Sequence, residues 1–268
     1  MPALSAPLGD ADSRFDAPTL RLFYRLLGAT LLALPVWEWR AGRWAVNAGT
    51  LYARRWPMFG LCSTTWLAVE WSALLLCGAA LALGFGRRLA ARVACVFMLL
   101  SVCQAYMNQK ALLFLILLYL SFAPPDPEQP GVESASWPNV ALIRWQIVIV
   151  YAVSALAKLR AGYWDGLSLR ALFELLPRLP EGGWLPARPM LALFAAHPSS
   201  AAALSCAVIA AELALPVLLI RRPRLGVAAV ALLHASFMLF MPGLLVFSLA
   251  SLTAASLFLA PRPQAVAS

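Results

Sequence analysis

Apolar runs long enough to cross a bilayer recur along this chain, and they leave it few folds. A spanning helix needs about 20 mainly apolar residues, and eight stretches are candidates by that measure: 20–37, 63–83, 89–106, 111–122, 143–158, 201–220, 225–241 and 244–260. Hydrophobic residues make up 62% of the chain and charged ones 12%, about half the roughly 25% charged share of soluble domains. A soluble domain of this length has too little interior to hide so much apolar surface. The expected fold class is all-α, a polytopic integral membrane bundle of about eight transmembrane helices with interfacial amphipathic segments. One transmembrane domain over 20–260 is expected, between a polar N-terminal tail (1–19) and a C-terminal tail (261–268).

The connections carry their own information. Segment 38–60 holds Trp39, Trp44, Tyr52, Trp56 and four arginines, and reads as an interfacial loop. Gly84, Gly86, Arg87 and Arg88 make a tight basic turn, and Pro124 and Pro125 open an acidic loop with Asp126, Glu128 and Glu133. Between 160 and 199, the stretch 167–176 is amphipathic, with Arg170 and Glu174 spaced i,i+4, and is expected to lie on or re-enter the membrane surface.

A net charge of +9 would suggest nucleic acid in a soluble protein. Here the arginines cluster at helix ends, where they set orientation and meet lipid head groups, so membrane lipid is the expected partner and nucleic acid is not. The short turns after the second and sixth runs hold three arginines each, counting Arg92. By the positive-inside rule both termini are expected in the cytoplasm of a multi-pass inner-membrane protein, with the Lys158 end of the fifth run facing outward. No cleavable signal peptide is expected from the polar, partly acidic N-terminus. The five cysteines are dispersed without a CxxC and read as small buried hydrophobes.

The richest stretch is 143–166, IRWQIVIVYAVSALAKLRAGYWDG. Tyr151, Ser154 and Lys158 are spaced by three and four, so on a helix they form one polar stripe. Gly162, Trp164, Asp165 and Gly166 then make a turn with an interface-seeking aromatic and an acid. Four ionisable residues fall at membrane depth: Glu70, Lys158, Glu212 and His234. A charge there costs about 2.5–3.5 kcal/mol and turns toward the bundle interior or a wet cavity.

Each has a bland reading beside a chemical one. Lys158 either snorkels to the interface or, because charging it is costly, serves as a general base; the second requires that Asp165 not sit against the amine. Glu212 and His234, on runs joined by a short turn, read as a hydrogen-bonded pair or as catalytic groups. Glu70 reads as a packing partner. Two histidines without ligand spacing (His197 and His234) do not indicate a metal site.

The segments Gln146–Tyr151, Ser154-Ala-Leu-Ala-Lys158 and Trp164-Asp165-Gly166, with Asn108 to Pro125 and Leu232-Leu233-His234, resemble the membrane part of the vitamin K-dependent gamma-carboxylase family, the horizontally transferred transmembrane (HTTM) domain. The resemblance spans roughly 20–260. It implies that Lys158 is the base that deprotonates a reduced quinone of the vitamin K type; His234 and Glu212, ionisable at membrane depth, are further catalytic candidates. Tyr151, Ser154, Gln146, Trp164, Asp165 and Asn108 are then the expected lining of the substrate cavity. The family's long extramembrane region has no counterpart in these 268 residues, so a peptide substrate would be presented by a separate partner protein. The alternative expectation is a non-catalytic membrane helper for maturation or export of a secreted peptide or protein.

Overall fold

The computed structural model describes residues 17–40, 64–104, 108–122, 138–175, 192–194, 196–240 and 244–260, all of them helix or short connection. The chain divides into two compact units, Met1–Arg144 with Leu249–Ser268, and Trp145–Ser248.

The first unit contains α1 (Ala17–Arg40), α2 (Thr64–Leu83), α3 (Arg87–Gln104) and α4 (Asn108–Ser121), each packed on the next. On α1, Leu20, Phe23, Leu27, Leu31 and Leu34 recur every three or four residues and are fully buried, the stripe a packed helix requires. On α2 the buried stripe is Leu67, Glu70, Leu74, Cys77 and Leu81, so a carboxyl occupies a core position. The α1–α2 contact is close because it is built on glycine. A Cβ on Gly28 would stand 2.5 Å from the Gly78 carbonyl oxygen and 2.7 Å from the Ala82 nitrogen, the small-residue approach typical of membrane helices. Gly28→Ala is therefore expected to pry the two helices apart at a cost of about 1–3 kcal/mol, read as a lower melting temperature in detergent, with Gly86→Ala, where no atom lies within 4 Å of the added Cβ, as the comparison for backbone strain alone.

The basic turn after α2 forms at Gly84 and Gly86, both at positive φ, and the Gly84 and Phe85 amides donate to the Ala80 carbonyl at 2.9 and 2.8 Å. Arg87 then reaches back over the Tyr24 ring, 4.7 Å from its centroid. The segment beginning at Glu38, expected as a wet loop, is corrected at its start. α1 runs on through Arg40, and Glu38 is buried to 1% exposure because Lys110 neutralises it; residues 41–63 lie outside the described residues.

α5 (Pro138–Arg160) begins in the first unit, where Arg144 donates through Nε (3.1 Å) and Nη2 to the Leu257 carbonyl and lies over Phe258. α9 (Leu245–Ser256) ends there, with Thr253 Oγ1 3.2 Å from Thr30 Oγ1. The second unit holds the rest of α5, α6 (Leu167–Leu175), α7 (Pro198–Arg221) and α8 (Pro223–Phe240). The amphipathic helix expected at 167–176 is α6. It buries Leu169 and Phe173 among Tyr163, Leu172, Phe194 and Leu204, with the Arg170–Glu174 pair half-exposed at 3.1 Å.

Among the described residues four helices are long and apolar enough to cross a membrane: Pro18–Trp39, Thr65–Leu83, Val140–Arg160 and Pro198–Arg221. Shorter apolar helices occupy Asn108–Ser121, Pro223–Leu239 and Leu245–Leu259, and α3 carries Arg87, Arg88 and Arg92 in its first two turns. On α5, Leu142, Trp145, Ile149, Val153 and Leu156 stay exposed at helical spacing. Such a stripe, opposite the buried Ile147, Tyr151 and Ala155, has its natural solvent in lipid rather than water.

Candidate functional site

The second unit gathers the polar side chains of α5, α7 and α8 into two groups. On α7 the buried stripe runs Ala201, Ser205, Ile209, Glu212, Leu215 and Leu219, which carries the Glu212 carboxylate inward. On α5 the stripe ends in the last turn at Lys158, whose amine donates to Ser154 Oγ (2.7 Å), Glu212 Oε1 (2.7 Å) and Glu212 Oε2 (2.6 Å). An ammonium has three N–H donors, and all three are engaged. The side chains are 25% exposed for lysine and 4% for glutamate, so the pair has a buried anion and a cation that reaches the surface.

The turn after α5 brings a fourth group to this one. Gly162 at φ 71° and Gly166 at φ 78° bracket the short helical turn Tyr163–Asp165. A Cβ on Gly166 would stand 2.3 Å from the Ala202 nitrogen, so the glycine lets this turn lie directly on α7. Tyr163 is thereby placed near the pair: burial pushes its phenol above the ordinary value, and the negative charge of Glu212 adds to the effect.

The second group surrounds His234, which α8 buries on the same face as Gly226 and Val230. Tyr151 Oη is 2.7 Å from His234 Nε2, and Ser248 Oγ is 3.0 Å from Nδ1. Phe237 and Phe247 contact the ring edge to face. A neutral imidazole donates from one nitrogen and accepts at the other, so Tyr151, His234 and Ser248 form one continuous hydrogen-bonded chain.

Glu212 and His234, read from the sequence as a hydrogen-bonded pair or as catalytic groups, hydrogen-bond to other residues: Glu212 to Lys158, His234 to Tyr151 and Ser248. Two facing helices outcompeted the adjacent turn. Asp165 is exposed and accepts from the Leu167 amide at 2.8 Å, which stabilises the start of α6. It leaves the amine alone, but Glu212 takes the place the base reading needed empty. Gln146 is half-buried on α5, and Trp164 is exposed, its carbonyl 3.6 Å from Cys206 Sγ. Asn108 is exposed at the start of α4, in the first unit. Ser248 and Tyr163 were not singled out from sequence; no local pattern distinguishes Ser248 from the other serines of an apolar helix.

Among the described residues no three His, Cys, Asp or Glu side chains come together as metal ligands. Fold and site together define an all-helical protein with helices of membrane-spanning length and a lysine–glutamate pair at the end of one of them. Comparison with protein-family models, curated proteins and solved structures gives no match.

Proposed function

We propose that this protein is a multi-pass inner-membrane enzyme of the gamma-carboxylase-like HTTM type, and that Lys158 and Glu212 are a proton-transfer pair acting on the hydroxyl of a reduced quinone. The reading includes about eight spans, cytoplasmic termini and an outward-facing Lys158 end. The observation that carries it is the Lys158–Ser154–Glu212 cluster, which lies in the last turns of an apolar helix of membrane-spanning length.

The pair changes how the base is understood. A lysine that gives all three hydrogens away is not a free amine, so Glu212 is the group that accepts the proton, at a carboxylate oxygen, while Lys158 holds the negative charge left on the substrate oxygen. Tyr163 is a second hydroxyl at the same place, and Trp164 offers an exposed aromatic face beside it. A reduced quinone would supply the acidic hydroxyl and two reducing electrons, with dioxygen as the oxidant that accepts them; the residues present fit its polar end. Peptide capture, if the reaction resembles carboxylation, falls to a separate partner.

The test is quinol oxidation by dioxygen in proteoliposomes, together with quinone analysis of lipids extracted from the purified protein. Co-purifying quinone is expected, with turnover reduced by about 10²–10⁴ in Glu212→Gln, the usual contribution of a positioned acid–base group. Lys158→Arg keeps the charge but not the compact three-donor geometry and is expected to lose most of the activity. The second reading, a non-catalytic maturation or export helper, draws on the closed character of the same pair, in which every lysine donor is already used. No quinone in the extract and a Lys158→Arg variant of normal phenotype would decide for that helper.

A further inference from the structure

We propose that Glu70 is a proton-binding site inside the first unit, separate from the Lys158–Glu212 pair and independent of the quinol reading. Four helices each send one polar side chain to the same end of this unit: Glu38 from α1, Glu70 from α2, Ser101 from α3 and Lys110 from α4, all 2% exposed or less. Lys110 Nζ is 2.6 Å from Glu38 Oε1 and donates to Ser101 Oγ at 2.7 Å. Trp71 Nε1 donates to Glu38 Oε2 at 2.9 Å. Glu38 is therefore held on both oxygens.

Glu70 is not. Both of its carboxyl oxygens are buried without a hydrogen-bond partner, although Lys110, Ser101 and Glu38 are the groups that act on it. The charge count explains the imbalance. Among the described side chains two carboxyls share one lysine, and Glu38 already neutralises that lysine, so one negative charge would remain without a described partner if Glu70 were ionised. Buried charges are paired or neutralised, and two neighbouring carboxylates are seldom both charged. Of the other cations of these helices, Arg21, Arg25, Arg87, Arg88 and Arg92 lie toward the opposite end, where Arg87 covers Tyr24 and Arg92 reaches the Ser121 carbonyl.

The missing positive charge is a proton rather than a metal cation. A hard cation takes six or more oxygen ligands. Here both Glu38 oxygens are spent on Lys110 and Trp71, which leaves the two Glu70 oxygens and Ser101, beside an ammonium that repels a second cation.

Infrared spectroscopy of the full chain in lipid at neutral pH tests this directly. A protonated-carboxyl stretch, shifted by deuterium exchange, is expected in the unaltered protein and is expected to disappear in Glu70→Gln, a nearly isosteric change that keeps the fold. Glu38→Gln supplies a second readout: with its partner neutral, Lys110 turns its charge to Glu70, and the band is expected to be lost there too. A spectrum unchanged by Glu70→Gln, or a band that survives Glu38→Gln, overturns the proposal. A band that collapses on adding sodium overturns it in favour of a monovalent-cation site.

Discussion

Lys158→Met is expected to destabilise the protein by about 3 kcal/mol, the lower end of the range for removing one partner of a buried ion pair. The physical reason is asymmetric exposure. The lysine side chain keeps 25% of its surface, whereas Glu212 keeps 4%, so the mutation strands a carboxylate that has no route to water. Adding Glu212→Gln to Lys158→Met is expected to recover most of the loss, because it removes the stranded charge rather than restoring a contact. Lys158→Arg keeps the charge beside the Glu212 carboxylate, and with the lysine side chain 25% exposed it is expected to cost clearly less than Lys158→Met, although its donor geometry differs. Thermal unfolding in detergent reads all three. A Lys158→Met protein as stable as the parent would show that the ion pair contributes nothing, and a double variant worse than the single would show that Glu212 has another partner. Stability and turnover thus separate the roles: arginine preserves the first and loses the second only if the pair does chemistry.

Gly166→Val is expected to be the most damaging glycine change in the second unit. Two costs coincide there. The residue sits at φ 78°, which a branched side chain accepts only at about 1–2 kcal/mol. Its Cβ would also enter the backbone of α7, 2.3 Å from Ala202 N and 2.6 Å from Ala201 C, and backbone cannot step aside as a side chain can. About 3 kcal/mol or more in total is expected from strain and overpacking together. Gly162→Val, at φ 71° with no atom within 4 Å of the added Cβ, isolates the strain and should cost clearly less. Since Tyr163 lies between the two glycines, Gly166→Val is also expected to shift the tyrosine phenolate titration toward that of an exposed phenol, a change visible in ultraviolet absorbance. Equal effects at both glycines would remove the close-packing account.

Local pattern foretold the helices because the signal is local. The three- and four-residue spacing of Leu20, Phe23, Leu27, Leu31 and Leu34, or of Leu169 and Phe173, is set by helix geometry alone. The glycine-rich turns at Gly84–Gly86 and Gly162–Gly166 were legible for the same reason: positive φ favours that residue. The Tyr151–Ser154–Lys158 stripe was equally visible, since it needs only one helix to exist.

Partnership was not legible, because it depends on which helices face each other. Glu212 lies 54 positions from Lys158 and 22 from His234, yet it hydrogen-bonds the farther one. Glu38 looked like part of a wet, aromatic loop until Lys110, 72 residues on, neutralised it. Membrane character and the residues able to carry charge were determined by the sequence itself, through composition and helical period. Which described carboxyls paired with a lysine, and that the Glu70 oxygens found no hydrogen-bond partner among the described residues, only the tertiary structure decided. Helical periodicity orients a side chain on its own helix, whereas charge compensation is settled by whatever the packed neighbours place within three ångströms or so of it.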